Sequence, residues 1–108
     1  MTDYDDLATM LKALAHPTRL QIIDLLRRGE VCVCHIERSL DKRQAYISQQ
    51  LMVLRQAGLV ENRKEGLQVY YRLADPQIAD LMALLYGDAE EDGHSTLADC
   101  PCPICSGP

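Results

Sequence analysis

Residues 41–73 read Asp41-Lys42-Arg43-Gln44-Ala45-Tyr46-Ile47-Ser48-Gln49-Gln50-Leu51-Met52-Val53-Leu54-Arg55-Gln56-Ala57-Gly58-Leu59-Val60-Glu61-Asn62-Arg63-Lys64-Glu65-Gly66-Leu67-Gln68-Val69-Tyr70-Tyr71-Arg72-Leu73, and their period changes midway. In the first half Ile47, Leu51 and Leu54 keep helical spacing on one face. Asp41 followed by Gln44 resembles a capping box, so Asp41 is the expected N-cap, and Gly58 closes the helix. In the second half Leu59–Arg63 and Gln68–Leu73 are β-rich runs separated by Lys64-Glu65-Gly66-Leu67. That pattern reads as a hairpin whose turn Gly66 supplies.

Upstream, residues from about Val31 to Leu40 fit a short helix. It makes a helix-turn-helix with the helix that follows Asp41, and the hairpin becomes a wing beside it. Pro17 suits the first turn of an earlier helix, which Leu20, Ile22, Ile23, Leu25 and Leu26 carry to a cap at Gly29. Leu7, Met10, Leu11 and Leu14 mark a first amphipathic helix over about Asp5–Ala15. Downstream, Asp75-Pro76 is a cap-plus-proline start, and Ile78, Leu81, Met82 and Leu85 give a last helix ending near Gly87. The expected fold is mainly α with a small β-hairpin, a winged helix-turn-helix over residues 1–87. Residues 88–108 read as a flexible, acidic, Cys-rich tail in which Pro101 and Pro103 oppose helix.

The chain has 108 residues, enough for one small core and too few for a catalytic plus a regulatory domain. With 47% hydrophobic residues and neither Trp nor Phe, that core must be aliphatic. A net charge of −5, taken over the whole chain, argues against nucleic acid, yet it is unevenly spread. Residues 17–72 hold ten Lys/Arg against six Asp/Glu, whereas residues 73–108 hold seven acids and no basic residue. A basic middle between acidic ends points to an anionic partner for the middle. Acidic Asp3-Tyr4-Asp5-Asp6 stands where a signal peptide needs a basic n-region, and no apolar run is long enough to span a bilayer. The expected setting is cytoplasmic with no membrane partner, where five Cys suggest metal or redox chemistry before disulfides.

A groove-reading helix needs donors and acceptors of moderate length on its outer face. Gln44, Tyr46, Ser48, Gln49 and Gln50 supply them. Lys42 and Arg43 at the helix start suit phosphate, and Arg63, Lys64 and Gln68 place similar chemistry on the wing.

The stretches Ala13-Leu14-Ala15-His16-Pro17-Thr18-Arg19-Leu20, Gly29-Glu30-Val31-Cys32-Val33-Cys34, Ile47-Ser48-Gln49-Gln50-Leu51, Leu54-Arg55-Gln56-Ala57-Gly58-Leu59-Val60 and Val69-Tyr70-Tyr71-Arg72-Leu73 resemble the ArsR/SmtB metal-sensing repressors. The resemblance covers roughly residues 7–86. It implies a winged-helix homodimer joined mainly by the first and last helices, bound to double-stranded operator DNA at an imperfect palindrome. It further implies repression of a metal-resistance operon, relieved by a toxic metal or metalloid. One departure touches the DNA face: Gln50 stands where many members carry His, so operator preference cannot be copied from relatives.

In the resemblance, Cys32 and Cys34 occupy the thiolate-type sensing position at the start of the third helix. Residues two apart on a helix diverge by about 200°, so two sulfurs meeting one ion should distort the helix start. Arsenite-sensing members carry a third Cys where this chain has Glu37, and Cys100, Cys102 and Cys105 in the tail are the available replacements. The sulfurs can form one site or two, within or between protomers. Asp75-Pro76-Gln77-Ile78-Ala79-Asp80 lacks His, which argues against the family's last-helix zinc site. The expected inducer is therefore As(III) or Sb(III), with Cd(II) or Pb(II) second. His35 reads as an exposed helix residue, His16 as a residue ahead of the second helix and His94 as solvated tail. Competing readings are a repressor of the same fold that senses thiol oxidation or persulfides, a metal buffer, and a thiol enzyme. The last lacks both a Cys-x-x-Cys in a βαβ context and a phosphate-cradling Gly loop.

Overall fold

The computed structural model describes residues 3–87. The order of elements is α1 (Tyr4–Leu14), α2 (Pro17–Leu26), β1 (Val31–Cys32), α3 (Val33–Leu40), α4 (Gln44–Gln56), β2 (Val60–Glu65), β3 (Gln68–Leu73) and α5 (Pro76–Tyr86). Residues 88–108, expected as a tail, lie outside the described residues.

Most helix signals act where the sequence puts them. The Asp3 side chain accepts the Asp6 N–H at 2.8 Å and starts α1, and the Asp75 side chain accepts the Gln77 N–H at 2.9 Å and starts α5 ahead of Pro76. His16 caps α2: its Nδ1 accepts the Thr18 N–H at 3.2 Å, in front of Pro17. The helix itself ends at Leu26, and Gly29, at φ 138°, belongs to the turn that follows.

The expected third helix is two elements. Val31 and Cys32 form a strand, with Val31 opposite Tyr71 and Cys32 opposite Tyr70, and the helix begins only at Val33. Two consecutive buried residues next to a tyrosine-rich strand gain more from pairing than from an extra helical turn. Asp41 is likewise not the N-cap of α4. It ends α3 in the left-handed conformation at φ 54°, a state that Asp tolerates better than most residues, and Arg43 is the N-cap of α4. The hairpin turn is also tighter than expected, since Lys64 and Glu65 continue β2 and only Gly66 and Leu67 turn, with Gly66 at φ 61°.

The sheet order is β1-β3-β2, all antiparallel. Ile22 and Ile23 of α2, Ile36 of α3, Ile47, Leu51 and Leu54 of α4, and Leu59 are fully buried in one cluster. Each such side chain stabilises the fold by about 1.5–3 kcal/mol. This core fixes α3 and α4 against α2 and leaves the far side of α4 to solvent.

Candidate nucleic-acid interface

Three residues, Asp41 to Arg43, join α3 to α4 and give the short turn of a helix-turn-helix. On α4 the core takes Ile47, Leu51 and Leu54, so Gln44, Ala45, Ser48, Gln49 and Met52 are exposed. Lys42 and Arg43 are exposed at its start, where the partial positive charge of a helix N-terminus adds to theirs. Gln44, Ser48, Gln49, Lys42 and Arg43 therefore share one surface.

Two expected readers point elsewhere. Gln50 is only 8% exposed, and its Oε1 accepts a hydrogen bond from Arg19 Nε at 2.9 Å. It lies on the α2 side of α4 and not on the outer face, because a side chain four residues from Tyr46 and one from Leu51 turns inward. Tyr46 is half-buried, and its hydroxyl shares a hydrogen bond with Thr18 Oγ1 at 3.1 Å. Two exposed residues complete the face in their place, Ala45 and Met52, the latter 58% exposed. Apolar groups there suit thymine methyls. Their i, i+7 spacing in phase with Ser48 and Gln49 is a signal that a search for polar readers passes over.

On the wing Lys64 is exposed, but Arg63 is engaged. Its guanidinium donates to Glu30 through Nε at 3.0 Å and Nη2 at 2.6 Å, and to Glu65 through Nη1 at 2.6 Å. It also sits 4.7 Å from the centroid of the Tyr70 ring. The hydrogen bond from Arg63 holds the Glu30 carboxyl below its ordinary range. At the base of the wing Arg72 pairs with Glu61 at 2.9 Å. Part of the basic charge in the middle of the chain is thus already answered by the chain's own carboxylates. Gln68 is half-buried and faces Cys34, since its Oε1 accepts from Cys34 Sγ at 3.8 Å.

Cys32 and Cys34 do not share a helix. Cys32 ends β1, is the N-cap of α3 and is fully buried, while Cys34 lies in the first turn of α3 and is half-buried. The expected divergence of two helical sulfurs is replaced by a strand-to-helix junction. Cys34 opens onto a groove with Glu37, Arg38, Asp41 and Lys42. His35, expected at the surface, is 2% exposed and packs inward. Among the described residues no three His, Cys, Asp or Glu side chains converge as a metal site. Cys100, Cys102 and Cys105 lie outside the described residues. Within those residues no helix is long and apolar enough to cross a membrane.

Residues 16–62 match the model of the family described as bacterial regulatory protein, arsR family. A biofilm growth-associated repressor of Agrobacterium fabrum is 48% identical over 81 residues, covering 75% of this chain and 69% of the relative. The arsenical resistance operon repressor of Escherichia coli is 43% identical over 81 residues, covering 74% and 68%. Among solved structures, a homodimeric winged helix-turn-helix DNA-binding domain from Mycobacterium bovis, described as a possible ArsR-family transcriptional regulator, superposes with a TM-score of 0.71 at 43% identity over 75% of each chain. With the winged helix-turn-helix geometry and the exposed face of α4, these similarities show that the chain belongs to the arsR family of bacterial regulatory proteins, as a DNA-binding transcriptional regulator and not an enzyme.

Proposed function

We propose that the chain is a homodimeric repressor of a metal(loid)-resistance operon that leaves its operator when As(III) or Sb(III) binds cysteine thiolates. The observation that carries this reading is the position of Cys32. It ends β1, stands at the N-cap position of α3 and lies opposite Tyr70 of the wing, so its backbone belongs to the supports of both DNA-facing parts at once. A ligand drawing on Cys32 and Cys34 together must bring one sulfur out of the interior. That movement strains the β1–β3 pairing and the first turn of α3, and α3 packs against α4. Coupling of this kind needs only that the inducer favour the strained form, typically by about 1–3 kcal/mol. A trivalent metalloid favours three sulfurs, and Cys100, Cys102 or Cys105 would complete the set. The name of the Escherichia coli relative supports this inducer class.

The dimer reading rests on exposed apolar side chains at the two ends of the chain. Tyr4, Leu7 and Leu11 stand exposed on α1, as do Leu84, Leu85 and Tyr86 on α5. A groove of about 380 Å³, lined by Leu20, Met82, Leu85 and Tyr86 among others, continues this surface between α2 and α5. A second copy covering it would bury the patch and set two α4 helices on one palindrome. The relative from Mycobacterium bovis is described as homodimeric, which supports a two-copy assembly.

A second reading keeps the DNA chemistry and changes the signal. Two thiols at one junction suffice for oxidation, whereas three sulfur ligands need the tail. Titrating operator complexes with arsenite, Cd(II), Pb(II) and peroxide separates the readings. Release at low arsenite is expected. Release by Cd(II) or Pb(II) alone reassigns the inducer, and release by peroxide alone makes the protein a thiol-redox repressor.

A further inference from the structure

We propose that Arg19 is a positioning residue for DNA reading: it fixes the rotation of α4 about its own axis and ties that rotation to the end of α1. Its Nε donates to Gln50 Oε1 at 2.9 Å and its Nη1 donates to the carbonyl of Ala13 at 3.2 Å. The Ala13 carbonyl belongs to the last turn of α1, where helix carbonyls have no partner within the helix, so the guanidinium also serves as a C-terminal cap.

The neighbouring residue makes the parallel contact. Thr18, buried at 6% exposure, shares its hydroxyl hydrogen bond with Tyr46. Tyr46 and Gln50 are four apart and lie one above the other on α4. Two adjacent residues at the start of α2 therefore grip two successive turns of one α4 face. The outward face, turned away from Ile47, Leu51 and Leu54, carries Ala45, Ser48, Gln49 and Met52, all exposed. Apolar packing of Ile47, Leu51 and Leu54 holds α4 in the core but is non-directional, and a slightly rotated helix would bury nearly the same area. Directional bonds discriminate between such rotations. On a helix of about 5 Å radius, turning by about 20° moves a surface side chain by about 2 Å, enough to break a base contact. Through Ala13 the same guanidinium registers where α1 ends, so a shift of α1 reaches the reading face without passing through the thiols.

This inference rests on the DNA-reading role of α4. The test starts with a duplex selected from a random pool by the full-length wild-type chain. Operator affinity, affinity for unrelated duplex, the salt slope of each and a panel of single-base-pair operator changes are then measured for wild type, Arg19→Ala, Gln50→Met and the double variant. The expected result is a loss of about tenfold in specific affinity for each single variant, with no further loss in the double variant. Discrimination should flatten across the whole operator panel, and the salt slope should stay at the wild-type value. Gln50→Glu, which keeps an acceptor for Arg19, should retain wild-type discrimination. If Arg19→Ala does not fold by circular dichroism, Gln50→Met decides alone. A salt slope lower by about one in Arg19→Ala would make Arg19 a phosphate contact and overturn the proposal. So would additive losses, a Gln50→Met change confined to one operator position, or unchanged discrimination in the variants. A wild-type chain that selects no sequence would instead remove the reading of α4 itself.

Discussion

Glu30, in the loop before β1, binds Arg63 of the wing through both carboxylate oxygens, each 3.0 Å from Nε. Arg63 sits on the strand that leads to the wing tip, where a guanidinium would ordinarily be available to DNA phosphate. Held by Glu30 and Glu65, it is neutralised within the chain. Glu30→Gln should therefore raise operator affinity and steepen the dependence of log affinity on log salt by about one phosphate contact. Filter-binding or anisotropy titrations over a range of salt would show it. Equal slopes for wild type and variant would mean that Arg63 stays away from the duplex.

The same pair makes stability depend on acid. Bonding to Arg63 lowers the Glu30 carboxyl below its ordinary 4.5. A depressed folded-state value means that the ionised pair stabilises the protein fully above about pH 4.5, and that this contribution disappears as pH falls through the lowered value. Thermal melts from pH 6 to pH 3 should show a steeper loss for wild type than for Glu30→Gln. Parallel curves would place the acid sensitivity in other carboxylates.

Much of this architecture was legible in the amino-acid sequence because the signals were local. Ile47, Leu51 and Leu54 mark the buried face of α4, Gly66 marks the turn, and Asp75-Pro76 marks a helix start. What escaped depends on contacts distant in sequence. Val31 and Cys32 become a strand only because Tyr70 and Tyr71, nearly forty residues on, offer an edge to pair with. Gln50 carries the same polar amide as Gln49 beside it, yet one faces solvent and the other faces Arg19, thirty-one residues upstream. Asp41 satisfies the pattern of an N-cap, but local preference cannot tell that role from a left-handed helix end. The charge count of the middle segment likewise gives no hint that Arg63 and Arg72 are already paired.

The two thiols should separate in their effects. Cys32→Ser puts a hydroxyl into a fully buried site and should cost about 1–3 kcal/mol of stability, whereas Cys34→Ser at a half-buried site should change stability by less than about 0.5 kcal/mol. Both should still bind operator and both should lose release by arsenite. Chemical denaturation and arsenite titration of each variant check the two halves. If both variants still respond while the Cys100, Cys102 and Cys105 triple variant does not, the tail is the sensor and strain at the β1–α3 junction is not the signal.

Association through α1 and α5 predicts a specific failure. Leu84 and Tyr86 are 85% and 76% exposed at the end of α5, so a charge placed there costs an isolated chain little. Leu84→Glu with Tyr86→Glu should keep the helical spectrum of wild type, sediment as a monomer and bind a palindromic operator at least tenfold more weakly. A dimer that survives both substitutions would locate the interface on another face.

Charge along the chain sets the last expectation. Residues 88–108 carry five acidic side chains and no Lys or Arg, while the exposed Lys42, Arg43 and Lys64 lie on the DNA-facing elements. With Arg63 and Arg72 engaged by carboxylates, few cations are left to displace counterions from phosphate, so binding should be moderate and readily reversed by salt. An acidic segment tethered to the same domain adds repulsion from the duplex. Deleting residues 88–108 should tighten operator binding at about 50 mM salt, and the difference should shrink near 200 mM as screening removes it. An unchanged affinity at both salt concentrations would show that the tail charges stay clear of the DNA. Weaker binding after deletion would mean that the segment contributes favourable contacts to the complex.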